Sequence, residues 1–493
     1  MSLLASLLRL RADASGNAIR TSHVRHLHLS DQPLMMLPLK RTGPAARPLA
    51  VMLGTSPLQP RLLIAPPSGS TATMLTALAE AVTGHIATYH RAKEYLPATA
   101  ARPARARYLD APQLLVANQQ AVQFLRTLAL DLRLRRLDDQ TPPAHSIRRL
   151  GQWLTHFTDR AQIPGSAALV PLTDLLVMHW ITGQSPQDDH DLATLLAWID
   201  PPPGSTDGRD AARRAEAPDT HRCAGPDTDA TFDNEKLTPL VDAYARDSYP
   251  ARQELEQLLA AYLQPTWNRL WQAYALLQAI PQTASADRRW AAERAEFTDH
   301  TTRLAQGGRP RPARDQAVAA AISLERREAE RVAFNADRAL EDPFVRVELR
   351  TTGDAVGGTV IAVDDQHTIC GADGRDMWRP RITLSTQDPV HLEPDRLLTS
   401  HRHRTARYQV RDLIAGAVDT LVELEITAGM GTVDRPNHTI LPSVGTSLVL
   451  TAAPERFRMP AFPSRDQTPW THGGPPPEQP DRLDDGDDSQ EEQ

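Results

Sequence analysis

Cysteine is nearly absent: Cys223 and Cys370 are the only two in 493 residues, and they lie far apart. That excludes a disulfide framework and a thiolate metal motif, and it suits a reducing compartment, so the chain is expected in the cytoplasm. Lysine is also scarce, with Lys40, Lys93 and Lys236 against an abundance of arginine and alanine. This is the residue bias of a GC-rich bacterial genome and says nothing about mechanism. Positive charge is not in excess. The formal net charge is −7, and residues 481–493 alone carry seven acids and one arginine. No global basic field recruits nucleic acid, so a site of that kind has to be a local patch. Long apolar runs are missing too. The longest, near 167–181, is interrupted by Pro171, Thr173, Asp174 and His179 and is too short and too polar to span a membrane. Residues 1–16 have a short apolar run but no leading charge and no clear cleavage site, and so do not read as a targeting signal.

Motifs that carry chemistry are equally scarce. Residues 65–71 (APPSGST) lie between an expected strand and an expected helix, where phosphate loops sit. They lack the lysine of G-x-x-x-x-G-K-[ST], which argues against ATP hydrolysis of that type and leaves a plain helix cap by Ser70 or Thr71 as the favoured reading, with an anion held at the helix start as the alternative. There is no G-x-S-x-G elbow, no H-E-x-x-H helix and no cysteine in a nucleophile setting. His23, His26 and His28 invite a metal, but three or four converging ligands are needed and no carboxylate or cysteine stands nearby in the sequence, so they read as structural or surface histidines. Asp188, Asp189 and Asp191 around His190 fit the acidic start of a helix. No catalytic residue, metal ligand or cofactor is assigned.

What is present centres on residues 287–364. Residues 287–304 and 314–341 read as two helices separated by Gly307, Gly308, Pro310 and Pro312. In the second, Val318, Ile322, Ala329, Val332, Ala336 and Leu340 recur close to a heptad, which predicts an antiparallel hairpin, either packed in a bundle or projecting as a stalk. Arg326, Arg327 and Glu330, and Glu328 with Arg331, stand at helical neighbour spacing. Residues 344–349 (FVRVEL) alternate apolar and polar and read as the first strand of a β region.

Elsewhere, residues 1–19 read as a short amphipathic helix, 21–30 as alternating, and 34–39, 48–53, 61–65 and 113–116 as strands. Helices are expected at 70–83, 119–130, 147–161, 167–182, 192–199, 234–245, 251–263 and 265–280, the last opened by Pro265. Six of the eight tryptophans lie between 150 and 290 and predict a helical core. Residues 201–229 look like a flexible insertion. Strands are expected at 358–363, 381–385, 408–412, 418–426 and 447–450, at a spacing that suggests a small SH3-like or OB-like barrel.

The fold class is therefore multidomain α+β. It comprises a small N-terminal α/β domain (1–140), helical blocks at 141–200 and 231–341 flanking a linker at 201–230, a β-barrel-like domain (342–455), and a disordered, Pro-rich acidic tail (456–493).

Two local features suggest partners. Residues 400–408 (SHRHRTARY) place arginines beside an aromatic in the barrel. Read as a strand, they put Arg402 and Arg404 on one face, His401 and His403 on the other, and with Arg407 and Tyr408 they resemble surfaces that bind phosphates and stack on bases. A solvated hairpin loop accounts for the same residues. Trp378 with Arg379 and Arg381 either extends that patch or buries Trp378 in the barrel. In the tail, Trp470 stands in a Pro-rich stretch, either as an anchor for a partner or folded back on the barrel of its own chain. The order of hairpin and barrel superficially resembles the stalk and barrel inserts of some helicases, but the motor motifs are absent, so the resemblance implies no activity. The leading reading is a non-enzymatic adaptor or accessory subunit of a cytoplasmic complex, beside an ATPase or nucleic-acid-processing enzyme. The alternatives are nucleic-acid binding by the barrel, and an enzyme with a pocket in the N-terminal domain or at its boundary with the helices.

Overall fold

The computed structural model describes residues 2–453, Phe457 and Met459, except for 42–47, 67–70, 100–102, 135–141, 218–224, 247–248, 308–316, 372–373, 375 and 433–434. Cys223, Trp470 and the acidic tail therefore lie outside the described residues.

The N-terminal part is built on a five-stranded sheet. Its order is Arg61–Ile64, Ala50–Gly54, Leu34–Leu39, Leu114–Val116, Leu169–Pro171. The first three strands are antiparallel, and the last two run parallel to the central one. Every residue of the central LMMLPL run is buried, as a strand covered on both faces requires. Helices Ala72–Thr88 and Gln119–Leu134 both pack on Pro142–Arg160, and the 30-residue helix Tyr249–Gln278 packs against the sheet. Trp153, Trp198, Trp267 and Trp290 are buried, which meets the expectation of a tryptophan-anchored helical core.

Several expectations are corrected. Residues 21–30 form no strand beyond an isolated bridge at Arg25. Residues 167–182 are not one helix but a strand Leu169–Pro171, a short helix Leu172–Val177 and a strand Trp180–Ile181. The run joins the sheet beside Leu114–Val116, and Pro171 then starts the helix, where its missing N–H costs nothing. Pro265 opens no helix: it sits inside Tyr249–Gln278, because Tyr262, Leu263, Trp267 and Leu270 continue one buried face across it. The stretch 201–229 contains a helix, Gly208–Ala215, capped by Asp207 accepting from the Asp210 N–H at 2.8 Å. Ala211 and Ala212 pack with Trp198 in a small core of their own. A Cβ at Gly208 would stand 2.7 Å from the Trp198 carbonyl oxygen, so only glycine allows that approach.

The hairpin helices are Ala284–Ala305 and Ala317–Glu341. Ser285 bonds Glu341, Arg288 and Arg289 bond Asp337, and Arg326 pairs with Glu296, a register that only antiparallel helices produce. Arg326 reaches across to Glu296, Arg327 bonds both Gln162 and Ser323 of its own helix, and Arg331 pairs with Glu328. Val318 is exposed at one end of the apolar seam and Ala336 and Leu340 are buried at the other, so the hairpin packs at its base and presents its far turns to solvent.

Residues 344–349 are helical, not extended. Asp342 accepts from the Phe344 N–H at 2.9 Å, Pro343 opens the helix Pro343–Thr352, and Gly353 closes it in the left-handed conformation. Beyond it six strands pair in the order Ala355–Asp364, Arg381–Thr386, Thr420–Ala428, Arg407–Ala415, Leu397–Ser400, Ser447–Ala452, and the first also pairs with the last. Their inward residues, among them Val356, Val360, Leu384, Val410, Val422, Leu424 and Leu450, form a second core.

Candidate functional site

The strand Leu397–Ser400 ends before the arginine cluster, so residues 401–406 turn rather than alternate. Arg404 donates to the Leu340 carbonyl at 3.2 Å and lies 3.6 Å from Glu341, which ties the turn to the hairpin. Arg407 donates to the carbonyls of Arg404 and Ala406 and thereby holds the turn closed. Arg402 is exposed, and its guanidinium makes no hydrogen bond or ion pair among the described residues. Tyr408 is fully buried in the β core, and burial pushes its hydroxyl up to about 12. It is no surface platform for a base, and the expected arginine–aromatic patch is not assembled. Trp378 is buried in the same core and donates its N–H to the Asp365 carbonyl.

The early histidines are structural. His26 is buried and its Nε2 lies 3.2 Å from Asp342 Oδ2. The His28 ring stacks on Trp290 at 4.1 Å between centroids, and His23 is exposed. Asp191 caps the helix Leu192–Ile199 from the Ala193 N–H at 2.8 Å, while Asp189 takes Arg9 at 3.0 Å and the Thr182 hydroxyl at 2.6 Å. Thr71 precedes the helix Ala72–Thr88 without a side-chain cap bond, and Ser70 lies outside the described residues.

Two surfaces that face solvent bear on function. The first is the helix Leu3–Ser15, capped by Ser2 and closed by Gly16 in the left-handed conformation. Arg9 pairs with Asp189, Asp13 with Arg209, and the Ser2 hydroxyl donates to Glu348. The helix also carries Leu3, Leu7 and Leu10, exposed by 71%, 55% and 68%. Spacings of four and three put them on one face. The second is a cleft of about 510 Å³. It lies between the loop before the central strand, the end of Ala72–Thr88 and the exit of the strand Arg105–Tyr108. His28, Asp31, Tyr89, Arg91 and Asp110 line it. Trp290 supports it, stacking on His28 and donating to Asp110 Oδ1 at 2.8 Å. Tyr89 donates to the Gln32 carbonyl at 3.1 Å. Burial, reinforced by Arg25, holds His28 down at about 4, so its imidazole is neutral. Neither surface follows from a motif: the cleft joins residues tens of positions apart, whereas the leucine face was legible as amphipathicity but not as exposure.

Set against known protein families, curated proteins and solved structures, the chain matches none. Among the described residues no helix is long and apolar enough to cross a membrane.

Proposed function

We propose that this chain is a non-enzymatic adaptor or accessory subunit that docks a partner's amphipathic helix on the leucine face of its own N-terminal helix. The observation that carries this reading is the exposure of Leu3, Leu7 and Leu10 on one face of a helix that is fastened to the rest of the chain by Ser2, Arg9 and Asp13. Three leucines at that spacing form a stripe of the kind that receives a helix with its own apolar residues at three- and four-residue steps. Contiguous exposed apolar residues on a fastened element are a mark of an interaction site. Arg11 stands exposed beside the stripe and favours an acidic rim on the partner.

The test compares the intact protein with the double variant Leu7→Glu, Leu10→Glu, purified from the native host, alongside light scattering of each alone. Both leucines are exposed, so the variant should melt with the parent. The expected result is a stoichiometric partner on the parent that is missing from the variant. An unchanged set of partners, or a stripe that only joins two copies of this chain, overturns the reading.

A further inference from the structure

The cleft beside Trp290 stands apart from the leucine stripe, and its argument does not rest on the adaptor reading. It brings side chains of both signs to one concavity without letting them neutralise each other. Arg91 is exposed and forms no hydrogen bond or ion pair among the described residues. Among the described residues Asp31 takes only the Gln278 amide, at 3.3 Å on one oxygen. Asp110 Oδ1 takes the Trp290 and Ala111 N–H groups, and neither donor uses Oδ2. The Tyr89 hydroxyl is already committed to Gln32. His28 is uncharged, so it lines the wall without adding positive charge.

A simple anion entering this cleft meets two carboxylates, and a simple amine meets Arg91. A molecule that carries both charges satisfies each wall. We infer that the cleft binds a free α-amino acid, its carboxylate on Arg91 and its ammonium on Asp110 and Asp31. The planar guanidinium suits a carboxylate through two parallel N–H bonds, and charged hydrogen bonds of this kind are the stronger class. Leu29 and Leu109 line the same cleft and leave an apolar surface for the side chain.

The experiment is calorimetric titration of the full chain with each standard amino acid at millimolar concentration, and with propylamine and propionate as probes of one charge each. Saturable binding of one or more amino acids is expected, with neither single-charge probe approaching it. Arg91→Gln and Asp110→Asn should each weaken binding about tenfold or more, the loss expected for one charged contact. Arg91 makes no contact that the fold needs, and Asp110→Asn keeps a side-chain oxygen to accept the Trp290 N–H, so both variants should melt near the parent. Absence of saturable heat with every amino acid overturns the inference. Binding that both variants leave unchanged, or propylamine binding as tightly as alanine, overturns it equally.

Discussion

His28, His85, His179 and His300 are each kept neutral by burial, His179 at about 3 and the other three at about 4. In the unfolded chain each titrates near its ordinary value of about 6.5. Above that pH both states are neutral and no stability is lost. Below it the unfolded chain takes up protons that the folded chain refuses, and stability falls until the folded histidines titrate. Each contributes at most about 1.4 kcal/mol per pH unit in that window. Urea midpoints should therefore drop steadily from about pH 7 to about pH 5, before most carboxylates protonate; a flat profile would show that these rings reach water. The buried pair Arg160–Glu293, at 2.6 Å, behaves differently. Its neighbours hold Arg160 further up despite burial, so it stays charged across the same range.

Among the elements, the helix Tyr249–Gln278 carries its own penalty. Pro265 removes one backbone hydrogen bond and crowds the preceding turn, at a cost of about 3 kcal/mol in a helix interior. Trp267, whose N–H donates to the Pro57 carbonyl at 3.0 Å, and Leu270 bury the turn that follows and hold the helix continuous. Pro265→Ala should stabilise the protein by about 1–2 kcal/mol once the freer unfolded chain is counted, read as a higher melting temperature. A loss would mean that the packing needs the bend. The same helix shows where the sequence was legible. Its periodicity was plain, and only tertiary burial decided that two runs were one. Residues 344–349 fit both periods, and the deciding signals were the flanking Asp342-Pro343 and Gly353, a helix start and stop that outweigh six residues of alternation. The arginine turn failed for another reason: alternation assigns faces only while a strand lasts, and this one ends at Ser400. The cleft depends on residues from four elements, and no local pattern encodes their meeting.

At the scale of the molecule, the joint between the helical hairpin and the β strands is where separate parts of the chain converge. Asp342 sits there, buried, between the helices Ala317–Glu341 and Pro343–Thr352. It reaches His26 of the N-terminal segment and caps the helix that leads into the strands. Beside it Glu341 takes Ser285 and Arg404, and further on Arg350 pairs with Asp388 at 2.6 Å. Burial alone would raise the Asp342 carboxyl, but the bonds from His26, Ser22 and the Phe344 N–H outweigh it and hold it below the usual range. Its stabilisation is present at neutral pH and lost only as pH falls through that lowered value. Asp342→Ala removes a helix cap, worth about 1 kcal/mol, and a buried bond to His26 of about 1.5–3 kcal/mol. The cost should fall on the coupling between the parts as well as on stability, because the strands have a core of their own. Calorimetry is expected to show one melting transition for the parent and two for the variant. Retention of one transition at a lower temperature would mean that Arg404, Glu341 and Arg350 hold the joint without Asp342.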